Sequence, residues 1–182
     1  MKKKIVILVI ALVCIYFFIF GGFTKEGKIG ETYTWDGLEV SVNYVEFTDA
    51  MDNMGGANDN YWKPLPADAN RNQLAQAVTP KNAEDTICVI SFTVKNTSKD
   101  DYIVKNIGSL DYDKGYKYSD GGLSYRVSEK GVWSNLEGGL KLEKLRDKSY
   151  EFRAYMVVPK VLVTETNKPL TYTIFGRKFD LR

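Results

Sequence analysis

The sequence predicts an all-β protein, a β-sandwich of about seven or eight strands behind an N-terminal transmembrane helix. Two observations lead to this fold class. An apolar run broken only by Gly21 and Gly22 occupies residues 5–23, and beyond it short segments alternate apolar and polar residues with a period of two. Turn residues separate these segments, and Thr and aromatic residues are frequent, as is typical of sandwiches.

The N-terminal segment has the charge pattern of a membrane anchor. Lys2, Lys3 and Lys4 precede an apolar run over residues 5–23 that is about long enough to cross a bilayer core. Lysines before the span favour a cytoplasmic N-terminus. We therefore expect a single-pass cell-membrane protein whose C-terminal domain is extracytoplasmic and whose lipid partner is contacted through residues 5–23.

Two other interpretations of this segment stay open. A cleaved signal peptide has an apolar run of about 7–15 residues and a small-residue cleavage site, whereas residues 16–20 read Tyr-Phe-Phe-Ile-Phe. A lipoprotein would use Cys14, but Val13 precedes it and apolar residues follow it. Both patterns fit less well than an uncleaved signal anchor over residues 1–23.

The amino-acid composition excludes several functions for the remaining chain. The sequence has no histidine, which excludes Ser-His and Cys-His catalysis and removes the commonest ligand for several transition metals. No nucleophile motif is evident either, so we expect no enzyme activity, cofactor or metal. Without the three anchor lysines the chain has 22 basic and 23 acidic residues, a formal charge of −1, and no basic block that would bind nucleic acid.

The first half of the domain begins with a linker over residues 24–31, which is polar and contains two glycines. A turn at residues 35–37 leads into a strand whose alternation starts at Leu38 and slips by one residue near Val45, which predicts a β-bulge. Residues 87–94 are apolar on both phases and form a candidate central strand. Cys88 in this strand is expected to be a core residue rather than a nucleophile.

Further strands are expected in the second half of the domain. Short apolar runs indicate strands at residues 102–104, 109–112 and 123–127, and a clean alternation over 150–158 ends at Pro159. Two more strands are predicted at residues 170–174 and 179–181.

A long insertion at residues 50–85 interrupts the alternation. Connections of this length are usually functional or disordered. A short helix is predicted over residues 68–78, with Asp68 or Asn70 as its N-cap, Pro80 as its stop, and Leu74 and Val78 facing the sandwich.

The candidate binding residues are large aromatics and prolines, the usual components of contact sites. They are Tyr61, Trp62, Pro64, Pro66 and Trp133. Tyr61 and Trp62 form either a contact site or a cap over an open end of the sandwich. Trp133, beside several glycines, is either a core or rim residue or a partner contact.

Acidic residues near glycines could form a calcium-binding loop. Asp111 and Asp113 lie in a glycine turn, but the position that an EF-hand fills with glutamate is Gly122. A hairpin turn is therefore the favoured interpretation, and calcium is the alternative. Asp49, Asp52 and Asp59 lie near asparagines in a loop that is expected to be solvated, and calcium binding is the alternative there too.

Four segments of the chain resemble a known family. They are the strand at 37–42, the strand end at 94–98, the turn at 110–118 and the Pro-terminated strand at 150–159, and together they span most of residues 30–182. The pattern resembles the telokin-like extracellular domains of unknown function from Gram-positive bacteria. The resemblance implies an immunoglobulin-like β-sandwich over residues 32–182 and an extracellular location. It implies no catalytic or ligand residues.

Two functions fit these observations. The first is a membrane-anchored, non-catalytic binding or scaffolding module of the cell envelope, with an envelope protein or a wall polymer as partner. The alternative is an accessory subunit of a membrane transport or export complex, in which the apolar span packs against partner helices. Residues 16–20 lack the small residues common at such helix interfaces, which weakens the alternative.

Overall fold

A computed structural model describes most of the chain beyond residue 25. The described residues are 26–53, 63–66, 68–106, 108–113, 115–119, 121–127, 131–136, 138–144 and 148–182. The predicted span, residues 1–23, lies outside them. Within these described ranges, none of the helices is both long and apolar enough to cross a membrane.

The described residues form thirteen strands and two short helices. In chain order these are β1 (Gly27–Lys28), β2 (Thr32–Trp35), β3 (Leu38–Thr48), α1 (Arg71–Gln76), β4 (Asp85–Asn96), β5 (Tyr102–Val104), β6 (Ser109–Tyr112), β7 (Tyr116–Tyr118), β8 (Gly121–Val127), β9 (Ser134–Asn135), β10 (Leu140–Leu142), β11 (Ser149–Pro159), α2 (Val161–Thr164), β12 (Leu170–Ile174) and β13 (Arg177–Asp180).

Two sheets pack face to face as a β-sandwich. The six-stranded sheet has the order β2-β3-β4-β11-β8-β9, the five-stranded sheet has the order β1-β13-β12-β6-β7, and β10 pairs with β5 in a separate ribbon. Phe92 and Phe152 stack within the six-stranded sheet at 5.0 Å between ring centroids, and Tyr172 of the opposite sheet packs on this pair, 6.0 Å from Phe92. The predicted all-β sandwich is confirmed.

The long strands agree with the sequence pattern. The register of β3 against β4 shifts between Val42 and Tyr44, where the alternation slips, so the predicted bulge is confirmed. β4 is buried on both faces, and Cys88 is fully buried within it. Burial raises the pKa of the Cys88 thiol to about 12, which makes it inert as a nucleophile. The structural interpretation of Cys88 is therefore confirmed.

Three expectations differ from the structure. The strand count exceeds seven or eight because five strands, β1, β2, β7, β9 and β10, are only two to four residues long and too short to show alternation. Residues 27–28 of the predicted linker pair with β13, because Gly27 lets the ring of Phe179 approach closely. The third difference concerns α1, which lies in the insertion.

Helix α1 begins as predicted but does not rest on the sandwich. Asn70 is its N-cap: the side chain accepts from the Gln73 backbone N–H at 3.0 Å, and the Gln73 side chain accepts from Asn70 N–H at 2.9 Å. This is a capping box. Leu74 is 50% exposed, so the expectation that it faces the sandwich is wrong. Only Val78, beyond the helix, packs against a buried cluster.

The flanks of the insertion cover the outer face of the six-stranded sheet. Met51 is fully buried and pairs with both Pro64 and Val78. It packs in a second apolar cluster with Ile87, Val89 and Trp133, separate from the core between the sheets. This cover explains why β4 is apolar on both phases.

Candidate functional site

A polar groove runs along the outer face of the five-stranded sheet. Strand alternation sends Leu110, Tyr112, Leu170 and Tyr172 into the core, where all four are buried. The residues between them face outwards. In the pairing register, Asp111 lies opposite both Thr171 and Lys117, and Thr173 lies opposite both Ser109 and Lys178.

The groove consists of two adjoining cavities. One has a volume of about 640 Å³ and the other about 630 Å³, and both are lined by Lys117 and Thr173. The remaining lining residues are mostly polar or glycine. In the first cavity they are Tyr102, Ile103, Lys105, Asn106, Gly108, Ser109, Ser119, Ile174, Phe175 and Gly176, and in the second Asp111, Asp113, Gly115, Pro169, Thr171 and Lys178.

Asp111 lies at the centre of the groove. Its Oδ2 accepts from Ser109 Oγ at 3.5 Å and from Thr173 Oγ1 at 3.4 Å, both near the upper limit for a hydrogen bond. A carboxylate has about four lone-pair sites, so Asp111 retains strong acceptor capacity. Ser109 and Thr171 are buried and form the floor of the groove, while the exposed Lys117 and Lys178 supply cationic donors at its margin.

An ion pair lies at one end of the groove, where Asp113 lines the second cavity. Lys168 Nζ lies 2.7 Å from Asp113 Oδ2, and the hydrogen bond to this carboxylate raises the pKa of Lys168. Asp113 lies in the predicted turn with φ of 43°, a left-handed conformation that Asp tolerates. No cluster of three potential metal ligands occurs among the residues for which the structure gives a placement. Asp113 is the ion-pair partner of Lys168.

The groove was not singled out by the sequence analysis, apart from Asp111 and Asp113 as possible calcium ligands. Its residues are Ser, Thr, Asp and Lys on the outward phase of short strands, and such residues are the default on any solvated sheet face. Only the closeness of β6, β7, β12 and β13 turns them into one concave surface. That closeness depends on pairings far apart in the sequence.

Three of the predicted binding residues, Pro64, Pro66 and Trp133, lie on the opposite side of the molecule. Pro64 is half-buried and bridges to Met51, and Pro66 is exposed. Backbone hydrogen bonds from Asp52 N–H to Lys63 O at 2.9 Å and from Leu65 N–H to Ala50 O at 3.0 Å join the flanks of the insertion. Tyr61 and Trp62 lie outside the described residues.

Trp133 is 2% exposed and belongs to the covering cluster rather than to an open surface. The guanidinium groups of Arg153 and Arg126 lie 4.1 Å and 4.9 Å from its ring, within cation–π range. Arg126 also pairs with Glu151 at 2.6 Å. Of the two interpretations of Trp133, its burial favours the core role.

Comparisons with known proteins give the fold but no activity. No protein-family model matches the chain, and no curated protein matches it. A solved structure that it resembles is an uncharacterized β-sandwich protein from Clostridium difficile 630, with 20% sequence identity and a TM-score of 0.51. The likeness covers 86% of this chain and 93% of that one. At this identity it shows the sandwich fold alone.

Proposed function

We propose that this protein is a non-catalytic binding module of the cell envelope, held at the membrane by residues 1–23, with its sandwich outside the cell. The observation that supports it best is the continuous groove on the outer face of the five-stranded sheet. Hydroxyl, carboxylate and ammonium groups share this groove, and its floor residues Ser109 and Thr171 are already buried in the free protein.

The chemistry of the groove favours a hydrophilic, extended ligand. Its two cavities together follow the sheet face rather than forming one deep pocket, and the donors and acceptors are distributed along both. A polyhydroxylated or amide-bearing wall polymer offers complementary groups at repeated intervals. We therefore propose a wall polymer as the ligand, with an envelope protein as the alternative partner, and an immunoglobulin-like sandwich as the scaffold.

The test is co-sedimentation of the full chain with purified peptidoglycan sacculi. Asp111→Asn combined with Lys117→Gln removes the central carboxylate and one marginal ammonium group of the groove while nearly preserving side-chain size. The matched control is Asp101→Asn combined with Lys141→Gln, which breaks an exposed ion pair of the same type on the separate ribbon. We expect the groove variant to lose binding and the control to retain it.

A second pair of variants addresses the aromatic site. Tyr61→Ala combined with Trp62→Ala should leave sacculus binding unchanged if the groove binds the polymer. If this variant loses binding while the groove variant retains it, the contact site lies on the insertion and the groove proposal is wrong. If the wild-type chain fails to sediment with sacculi, the wall-polymer proposal is wrong, and cross-linking on intact cells then tests for an envelope protein.

A further inference from the structure

The path of the chain into the sandwich defines which end of the domain faces its anchor. Strand β1 runs parallel to β13, with Gly27 opposite Phe179 and Lys28 opposite Asp180. Glu26 Oε1 lies 3.0 Å from Lys178 Nζ, so the residues that precede Gly27 and Phe179 are also neighbours in the same register. The chain therefore enters at the end of the sandwich that carries the turn between β12 and β13, at residues 175–176.

Very little chain separates this end from the predicted span. Residue 23 is the last of the apolar run, and Glu26 is the first described residue. Three residue steps reach at most about 10 Å, even when fully extended. Given the proposed membrane anchor, on which this inference rests, the end of the sandwich with the β12–β13 turn must lie within this distance of the lipid headgroups.

Exposed apolar side chains occupy the same end. Trp35 is 46% exposed, and a methyl group placed on Gly176 would lie only 3.8 Å from its Nε1. Ile103 is 52% exposed and lines one cavity together with Gly176. Trp35, the β12–β13 turn and Ile103 therefore form one continuous surface, here called the anchor end.

Cationic groups accompany these side chains. The Arg177 guanidinium lies 5.4 Å from the Trp35 ring, and Lys105 lines the same cavity as Ile103. The neighbouring carboxylate of Asp101 is 2.7 Å from Lys141 and is thus partly neutralised. Tryptophan with Arg or Lys is the combination enriched where proteins meet the membrane interface, since the ring sits at headgroup depth and the cation meets phosphate.

We propose that the anchor end, formed by Trp35, Ile103, Lys105 and residues 175–177, docks on the headgroup region of the bilayer that holds the span. Docking fixes the orientation of the sandwich. The long axis of the groove starts at this end, because its first cavity is lined by Ile103, Lys105 and Gly176. The groove would then extend away from the membrane, towards the wall.

Tryptophan quenching in vesicles tests the proposal. The full chain is reconstituted into vesicles of phosphatidylcholine and phosphatidylglycerol, with or without lipids brominated near the headgroup. We expect brominated lipids to lower the emission of the wild-type protein, and Trp35→Phe to abolish most of this loss. Trp62→Phe is the matched control and should retain it, while Trp133 is buried and serves as an internal reference.

The outcomes separate docking from anchoring. Vesicle flotation first establishes whether the protein is membrane-bound; a chain that does not float overturns the anchor and the docking together. A chain that floats but shows no quenching, or equal quenching in the wild type and Trp35→Phe, keeps the anchor and overturns the docking. Quenching that disappears only in Trp62→Phe places the insertion at the lipid and also overturns it.

Discussion

Met51 provides a direct test of the role assigned to the insertion. It is fully buried on the outer face of the six-stranded sheet and packs in the cluster with Ile87, Val89 and Trp133. Its backbone is tied to Val78 by two hydrogen bonds, from Met51 N–H at 3.1 Å and from Val78 N–H at 3.0 Å. Met51→Ala removes the three outer heavy atoms of the side chain without changing these backbone bonds.

The expected cost follows from burial. Truncating a fully buried methionine to alanine loses the transfer free energy of the removed atoms and leaves a cavity, together about 2–5 kcal/mol. In a domain of this size each kcal/mol lowers the melting temperature by roughly 2–4 °C, so a fall of about 4–20 °C is expected. Leu74→Ala on α1 is the matched control, since Leu74 is 50% exposed. Its cost should stay within about 0.5 kcal/mol.

Urea unfolding followed by circular dichroism measures both variants. The reasoning predicts a lower midpoint for Met51→Ala with an unchanged slope, because the same surface is exposed on unfolding. If Met51→Ala lowers the urea midpoint no more than Leu74→Ala does, the packing of the insertion on the sheet does not stabilise the domain. If the midpoint falls and the slope falls as well, the insertion unfolds separately from the sandwich, and the cover is not part of the cooperative unit.

Three other predictions follow from individual side chains. In a Cys14→Ser background, Cys88 should resist alkylation until the domain unfolds, because burial raises its pKa to about 12; fast labelling of native protein would show that β4 is accessible. The Tyr112 hydroxyl donates to Glu165 Oε2 at 2.5 Å, and this hydrogen bond raises the pKa of Tyr112 to about 12. The protonated phenol therefore stabilises the fold fully below the unfolded-state pKa, and this stability is lost as the pH rises towards 12. Urea midpoints should therefore fall less steeply with alkaline pH in Tyr112→Phe than in the wild type, and equal slopes would contradict this. Asn70→Ala should speed amide exchange in α1 by removing its cap, with unchanged exchange in β4; protection equal to the wild type would mean that the cap is dispensable.

The long strands could be predicted because their sequence pattern is local. β3, β4 and β11 each run for eleven or twelve residues, which is enough for alternation, a bulge and a terminating Pro159 to be visible. The Asp36-Gly37 turn was also visible, and both residues have positive φ, as a two-residue hairpin turn requires. Strands such as β1 and β9, of two residues each, exist only because a neighbour pairs with them.

The groove could not be predicted for a related reason. The proposed binding surface, with Ser109, Asp111, Thr171 and Thr173, has the same composition as an ordinary solvated sheet face. What distinguishes it is that two of these residues are already buried although they point outwards. The neighbours of these residues across the sheet are set by the pairing of β6 with both β7 and β12, which joins segments far apart in the sequence.

The two outer faces of the sandwich nevertheless differ in a way that the sequence does record. The outward residues of β4 include Ile87 and Val89, which are apolar and require a cover, and the flanks of the insertion supply it through Met51 and Val78. The outward residues of β6 and β12 are hydroxyls and a carboxylate, which need no apolar cover. Asp111 and Thr173 are partly exposed, while Ser109 and Thr171 are buried at the floor of the groove. A strand that is apolar on both phases therefore predicts that another segment packs on its outer face. The predicted strands already pair within the sheets, so residues 50–85, which show no alternation, are the segment that could supply this cover. By the same reasoning, the opposite face needs no apolar cover and stays free for the ligand that we propose.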